Sequence, residues 1–237
     1  MNRLLCFAGL LLSLAPVGLT QQPASSATPA QSAAQVAPSA EQVWADLVAG
    51  NKRFVAGKPR AIDIVTLRNK LASGQYPNVI ILSCSDSRVG PELVFDQSLG
   101  DLFVVRTAGN VADPVALGSI EYAIANIYSP LLVVLGHQKC GAVSAACKGG
   151  KMPSRNLDAI VDKIDPAVTK AKTYAKGDDL LAAAIKENVH QSAKDLLANS
   201  AIVREAVKSG KLTVVEAEYD LGTGEVVRLT PPASGQN

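Results

Sequence analysis

Three short apolar runs punctuate the middle of the chain, at 79–82, 102–105 and 131–135. None alternates with polar residues, so each predicts a strand buried on both faces. Around them the apolar positions recur at helical spacing. Ser39 and Gln42 have the spacing of a capping box. Val43, Trp44, Leu47, Val48 and Phe54 then mark one face of a first predicted helix. A second helix is predicted from Asp63 to about Ser73, with Leu67 and Leu71 facing inward. Asp113-Pro114 supplies a cap and a proline at the first position of a helix carrying Leu117, Ile120, Ile124 and Ile127. Beyond Gly150 the pattern is helical to about Ser209. A late strand over 212–219 and a turn at Gly222–Gly224 lead into a short strand over 226–229. Buried strands alternating with helices predict an α/β fold, with a mainly parallel central β-sheet flanked by α-helices. In such sheets reactive groups gather beyond the carboxyl ends of the strands.

Composition adds little to this frame but excludes some classes. Nearly half of the 237 residues are hydrophobic, only 4% are aromatic, and the formal net charge is +2. No basic run or aromatic-laced basic stripe marks a nucleic-acid partner. The length suits one domain with an extension, and no internal repeat is present.

The extension is at the start. Arg3 precedes an apolar run over 4–14, broken only by Gly9 and Ser13, and small and polar residues follow. This is the layout of a signal peptide over residues 1–20, with cleavage between about Ala15 and Ala27. The run is short for a membrane span; the alternative is an uncleaved anchor. Residues 21–39 are uncharged and rich in Gln, Ala, Ser and Pro, which predicts a flexible leader. The catalytic domain is expected over 40–229, with a tail at 230–237. The expected location is secreted, periplasmic in a cell with two membranes, and free of the membrane after cleavage.

Cleavage removes Cys6 and leaves Cys84, Cys140 and Cys147. An odd count in an exported chain means that at least one thiol is outside any disulfide, unless chains are crosslinked. Cys147 lies seven residues past Cys140 and reads as a small buried apolar residue. Cys84 directly follows the first buried strand, within Ser83-Cys84-Ser85-Asp86-Ser87-Arg88. His137 and Cys140 follow the third, within Gly136-His137-Gln138-Lys139-Cys140-Gly141. Two thiolates and an imidazole make a three-ligand set for Zn2+, the number a catalytic zinc takes when its fourth position is left to water. The same residues allow Cys84 as a nucleophile activated by His137, or simply buried structural cysteines. A phosphatase loop fits less well, because only three residues separate Cys84 from Arg88 and none is glycine. The only other histidine, His190, falls in a predicted helix over 178–198.

The CSDSR motif at 84–88 and the GHxxCGAV motif at 136–143 together resemble the β-class carbonic anhydrases. The similarity extends through Gly100-Asp101-Leu102-Phe103, Arg106-Thr107-Ala108-Gly109-Asn110, Ser119-Ile120-Glu121-Tyr122-Ala123 and Glu187-Asn188-Val189, covering about Ala40 to Leu229. The resemblance implies a zinc enzyme that interconverts carbon dioxide with bicarbonate and a proton by a zinc-hydroxide mechanism, and the leader adds that it is exported. It implies that Cys84, His137 and Cys140 bind the zinc and that Asp86 and Arg88 form a dyad beside the metal-bound water. It places Gln75 and Tyr122 at the substrate pocket. It also implies a homodimer or higher homo-oligomer, with pocket groups donated across the interface. Some members hold bicarbonate at an inhibitory site using a tryptophan three residues before the first cysteine; Ile81 stands there in this chain. That predicts an open metal site rather than a bicarbonate-gated one. Another enzyme on this scaffold, hydrolysing carbon disulfide or carbonyl sulfide, remains a competing expectation.

Overall fold

A computed structural model describes residues 38–230. The expected signal peptide, nearly all of the leader and the tail lie outside the described residues. Helix α1 (Ala40–Val55) opens with the expected capping box: Ser39 accepts from the Gln42 amide and the Gln42 side chain accepts from the Ser39 amide. Helix α2 (Ile64–Leu71) is capped by Asp63. Strand β1 (Val79–Cys84), helix α3 (Pro91–Val94) and strand β2 (Leu102–Thr107) follow, and a 3-10 turn spans Ala108–Asn110. Helix α4 (Pro114–Asn126) has the predicted Asp113 cap and proline start. Then come β3 (Leu131–His137), α5 (Gly141–Lys148), α6 (Arg155–Ala171), α7 (Asp179–Asn199), α8 (Ala201–Lys208), β4 (Thr213–Tyr219) and β5 (Val226–Arg228).

The strands form one sheet in the order β2-β1-β3-β4-β5. The first four are parallel, and β5 runs antiparallel to β4. The α/β reading with a mainly parallel sheet therefore holds. Ile80, Leu82, Leu132 and Val134 face α4, α7 and α8 on one side. Val79, Ile81, Leu131, Val133 and Leu135 face α1 and α3 on the other. This alternation explains why β1 and β3 are buried at every position and read as unbroken apolar runs.

Several expectations need correction. The run at 102–105 is an edge strand, and only Val105 in it is buried. Helix α2 buries no residue; Leu67 and Leu71 are half-buried and the rest of the helix is exposed. Ile127 is the extended residue that ends α4, not part of the helix. The long helical stretch after Gly150 breaks into three, at the Gly177 turn and at Ser200, which ends α7 and caps α8. Helix α5, beginning immediately after Cys140, was not anticipated as an element. Cys147 is half-buried rather than buried.

Candidate metal centre

The carboxyl ends of β1 and β3, adjacent in the sheet, deliver the two motifs to one place. Cys84 is the last residue of β1 and His137 the last of β3. The chain then turns through Lys139, whose positive φ of 54° swings Cys140 back onto the same spot as the residue before α5. The sulfurs of Cys84 and Cys140 lie 4.0 Å apart, unbonded. Those sulfurs and a ring nitrogen of His137 lie within 4.8 Å of one another, and all three residues are buried.

This trio fits a zinc ion on its own geometry. The His137 Nδ1 faces the Gln138 carbonyl at 2.8 Å. Donation there places the proton on Nδ1 and leaves a lone pair on Nε2. That Nε2 is buried with no hydrogen-bond partner, an orphan that requires an explanation and that a metal ion would supply. Four-coordinate zinc with sulfur at about 2.3 Å sets two thiolates about 3.8 Å apart, close to the observed spacing. Soft sulfur with imidazole is also the donor set zinc favours over magnesium or calcium.

The electrostatics of the trio are those of a group suited to a cation. The Cys140 thiol and His137 both favour the ionised Cys84 sulfur and, against the opposing effect of burial, hold its pKa down at about 4. The same contact, with burial, pushes Cys140 up, since two bare thiolates this close repel. Burial pushes the His137 imidazole down, but the Cys84 sulfur, the Gln138 carbonyl and Asp86 together outweigh it and the net shift is upward. A divalent cation is what lets both sulfurs ionise together.

Asp86 and Arg88 stand beside the trio. Arg88 donates to both Asp86 oxygens, at 2.9 and 2.7 Å, and its backbone amide adds a third bond at 2.9 Å. The Arg88 hydrogen bond holds the Asp86 carboxyl well below the usual carboxylate range. The Asp86 Oδ2 lies 3.9 Å from His137 Nε2. The carboxylate is thus fixed at the edge of the metal position without belonging to the ligand trio. Arg88 is engaged by Asp86, so it is not poised as a phosphate clamp.

Gln75 and Tyr122 are not brought to this trio by contacts within the chain. Gln75 is exposed in the loop between α2 and β1. Tyr122 is 54% exposed on α4 and lies against Phe103, with ring centroids 6.5 Å apart. Ile81 is fully buried in the apolar layer under α1. His190 sits on α7 and pairs with Glu216 of β4.

Other residues support the site without a role read from the sequence. Arg106 of β2 donates to the Cys84 carbonyl at 3.0 Å and to the Asp86 carbonyl at 2.6 Å, clamping the loop that carries ligand and dyad. The Gly109 amide donates to the Cys84 sulfur at 3.3 Å. Gln138 is held by Asp220 at 2.8 Å. Gly136 lets α7 approach β3: a Cβ there would lie 2.4 Å from Val189 Cγ2. The resemblance had already pointed to several of these positions, but their partners are 20 to 82 residues away, beyond any local pattern.

A parallel sheet with a Cys2His group at its carboxyl edge defines an α/β protein with a candidate metal centre. Comparison with known proteins narrows this. The carbonic anhydrase family model matches residues 79–226. The chain is 42% identical over 190 residues to carbonic anhydrase 2 of Mycobacterium tuberculosis, covering 78% of this chain and 90% of that one. It is 39% identical to the carbonic anhydrase of Mycolicibacterium smegmatis, covering 77% and 90%. Among solved structures, the β-carbonic anhydrase CafA of Aspergillus fumigatus superposes with a TM-score of 0.63 at 27% identity, covering 80% of this chain and 91% of that one. The chain belongs to the β-class carbonic anhydrase family. It is accordingly an enzyme, a carbonic anhydrase, with a Cys-His-Cys group suited to hold a metal.

Proposed function

We propose that the chain, exported and assembled as a homodimer or higher homo-oligomer, hydrates carbon dioxide reversibly at a zinc ion held by Cys84, His137 and Cys140. The observation that carries this reading is the pairing of the buried ligand trio with an ionised, immobilised carboxylate at its edge. Zinc bound there supplies a Lewis acid that lowers the pKa of bound water from 15.7 toward about 7. Two thiolate ligands donate more charge than imidazoles and blunt that effect, so the protein has to assist. Asp86, kept anionic by Arg88, accepts a hydrogen bond from the attacking water and orients its lone pair toward carbon dioxide. Arg88 also restrains Asp86 from swinging onto the metal. His137 keeps its tautomer through the Gln138 carbonyl.

Substrate contacts come from Gln75 and Tyr122 on this reading. Both are exposed in the single chain, which supports a pocket completed by a second copy. The open metal site rests on Ile81, buried in the apolar layer where the bicarbonate-gated members carry a tryptophan, and on Gln75. Export rests on the charged, apolar and then small-residue order of the first twenty residues. Among the described residues no helix is long and apolar enough to cross a membrane.

The test is stopped-flow carbon dioxide hydration with a pH indicator. The chain from about Thr28 onward, loaded with zinc, is compared with Cys140→Ser and Asp86→Ala. Rapid turnover by the parent is expected, abolished by Cys140→Ser and cut at least about a hundredfold by Asp86→Ala. A fully zinc-loaded parent without hydration activity would overturn the reading and turn attention to carbon disulfide and carbonyl sulfide.

A further inference from the structure

Helix α7 runs past the metal centre without contributing a ligand, yet three consecutive residues of it are buried. Glu187 accepts from the Tyr174 hydroxyl at 2.9 Å and pairs with Lys170. Val189 packs over Gly136. Asn188, only 1% exposed, donates from Nδ2 to the Gly109 carbonyl at 2.8 Å. Gly109 in turn donates its own amide to the Cys84 sulfur. One turn further along α7, Ser192 accepts from the Asn110 side chain.

The 3-10 turn holding Gly109 has little intrinsic reason to stay where it is. Gly109 has a φ of 69° and Asn110 a φ of 47°, both in the left-handed region. Thr107 does not cap the turn at its start, but its hydroxyl spans it by donating to the Val111 carbonyl at 2.8 Å. Beyond that internal bond, Gly109 itself is held from outside, by α7 on one side and by packing against Ile164 and Ala142 on the other. Asn188 anchors the Gly109 carbonyl, and with Gly109 held at a φ of 69° the amide on the other side of the same Cα keeps its direction.

We propose that Asn188 is a positioning residue for the metal centre: by anchoring the Gly109 carbonyl it holds the whole Gly109 residue so that its N–H is aimed at the Cys84 sulfur, preorganising that ligand and withdrawing charge from it. The inference rests on the metal-binding reading above. An N–H donated to a metal-bound thiolate lowers its donor strength, which leaves the metal a stronger Lewis acid. This offsets part of the penalty of a two-thiolate site. Asn188 makes no hydrogen bond to the trio, and its effect passes through the Gly109 residue, from the carbonyl of one peptide unit to the amide of the preceding one.

The experiment uses the zinc and cobalt(II) forms of the parent, Asn188→Ala and Tyr174→Phe. Tyr174→Phe removes a hydrogen bond to α7 one residue away without touching the turn. Zinc affinity is measured by chelator competition, and the thiolate-to-cobalt charge-transfer band by absorption. Asn188→Ala is expected to weaken zinc binding by about 10- to 100-fold, the range for losing an outer-shell partner. Its charge-transfer band is expected to move to longer wavelength, because a sulfur without its N–H gives up charge more easily. Tyr174→Phe is expected to match the parent in both readouts. Asn188→Ala indistinguishable from the parent, or Tyr174→Phe shifting both readouts equally, would overturn the positioning role while leaving the metal site intact. A parent with no thiolate-to-cobalt band would overturn the metal reading itself, and this inference with it. If Asn188→Ala is too unstable to purify, Asn188→Asp gives the second reading. It keeps the shape but presents an oxygen to the Gly109 carbonyl, and the same band shift is expected.

Discussion

Replacing Gly136 by alanine tests whether the crossing of α7 over β3 sets the position of His137. The new Cβ would lie 2.4 Å from Val189 Cγ2. Carbon atoms in contact normally sit about 3.5–4.0 Å apart, so the overlap is about 1 Å or more. Neither side yields easily. Gly136 is held in register with Glu218 of β4. Val189 is fully buried, and a β-branched residue on a helix has one strongly preferred rotamer. Overpacking of this kind costs about 1–3 kcal/mol. Val189→Ala alone removes two methylene equivalents, about 1.6 kcal/mol, plus a cavity contribution. In the double variant the added methyl at 136 occupies the space vacated at 189. The costs then cancel in part, with an expected coupling of at least about 1 kcal/mol. Urea unfolding followed by the fluorescence of Trp44, the single tryptophan and 9% exposed when folded, reads this out. All four proteins are compared at one concentration, because assembly shifts apparent stability. Zinc affinity should fall in Gly136→Ala and recover in the double variant. Single costs that add to within about 0.5 kcal/mol would refute the reasoning.

Arg88→Ala should retain zinc but lose most hydration activity, since Asp86 is then free to move; an added oxygen ligand in X-ray absorption would mark its arrival at the metal, and unchanged turnover would show the pair to be dispensable. Arg106→Ala removes two charge-assisted bonds to the Cys84 and Asp86 carbonyls, each worth about 1.5–3 kcal/mol, and kcat/KM should fall about tenfold or more by stopped flow. A third expectation concerns acid stability. Burial alone pushes the Asp96 carboxyl up, but Arg53 and Arg60 outweigh it and hold its pKa below the ordinary value. A depressed carboxylate contributes stability in full above its unfolded pKa of about 3.9, and that contribution is lost as pH falls through the folded value. Asp96→Asn should therefore destabilise the protein at neutral pH and lose less stability on acidification below about pH 4, as urea midpoints across pH would show.

How much of this was legible depended on how local each cause is. The cap at Ser39, the Asp113-Pro114 start and the fully buried β1 and β3 are set by residues a few positions apart, and the sequence pattern predicts them. The edge position of β2 is not local. Its apolar run matches those of the inner strands, and only the strand order leaves it half-covered. Helix α2 has a helical pattern with no partner within the chain to bury it. The ligand trio was legible because each ligand ends a strand or follows a strand end. The rule that reactive groups collect at carboxyl ends brings the three residues together, but their reading as metal ligands rather than a nucleophile pair or buried thiols came from the family resemblance.

The supporting shell was illegible for the opposite reason, and this bears on how the site is built. Cys84 and His137 are fixed by strand register, but register fixes only the backbone. What orients the donor atoms comes from elsewhere: Arg106 from β2, the Gly109 peptide from the turn after it, and Asn188 and Val189 from α7. Apart from Arg106, none of these is recognisable by residue type, since a glycine, an asparagine and a valine carry no chemistry of their own. Their effect depends on separations as large as 79 residues being closed by the fold. The charges explain why such neutral groups suffice. On the proposed reading two thiolates balance a divalent ion and Asp86 balances Arg88, so the centre is formally neutral. An uncharged substrate needs no electrostatic steering, in keeping with a net charge of only +2. The protein's contribution is then directional rather than electrostatic: aimed amides and a tethered carboxylate, held by a helix that never touches the reacting atoms.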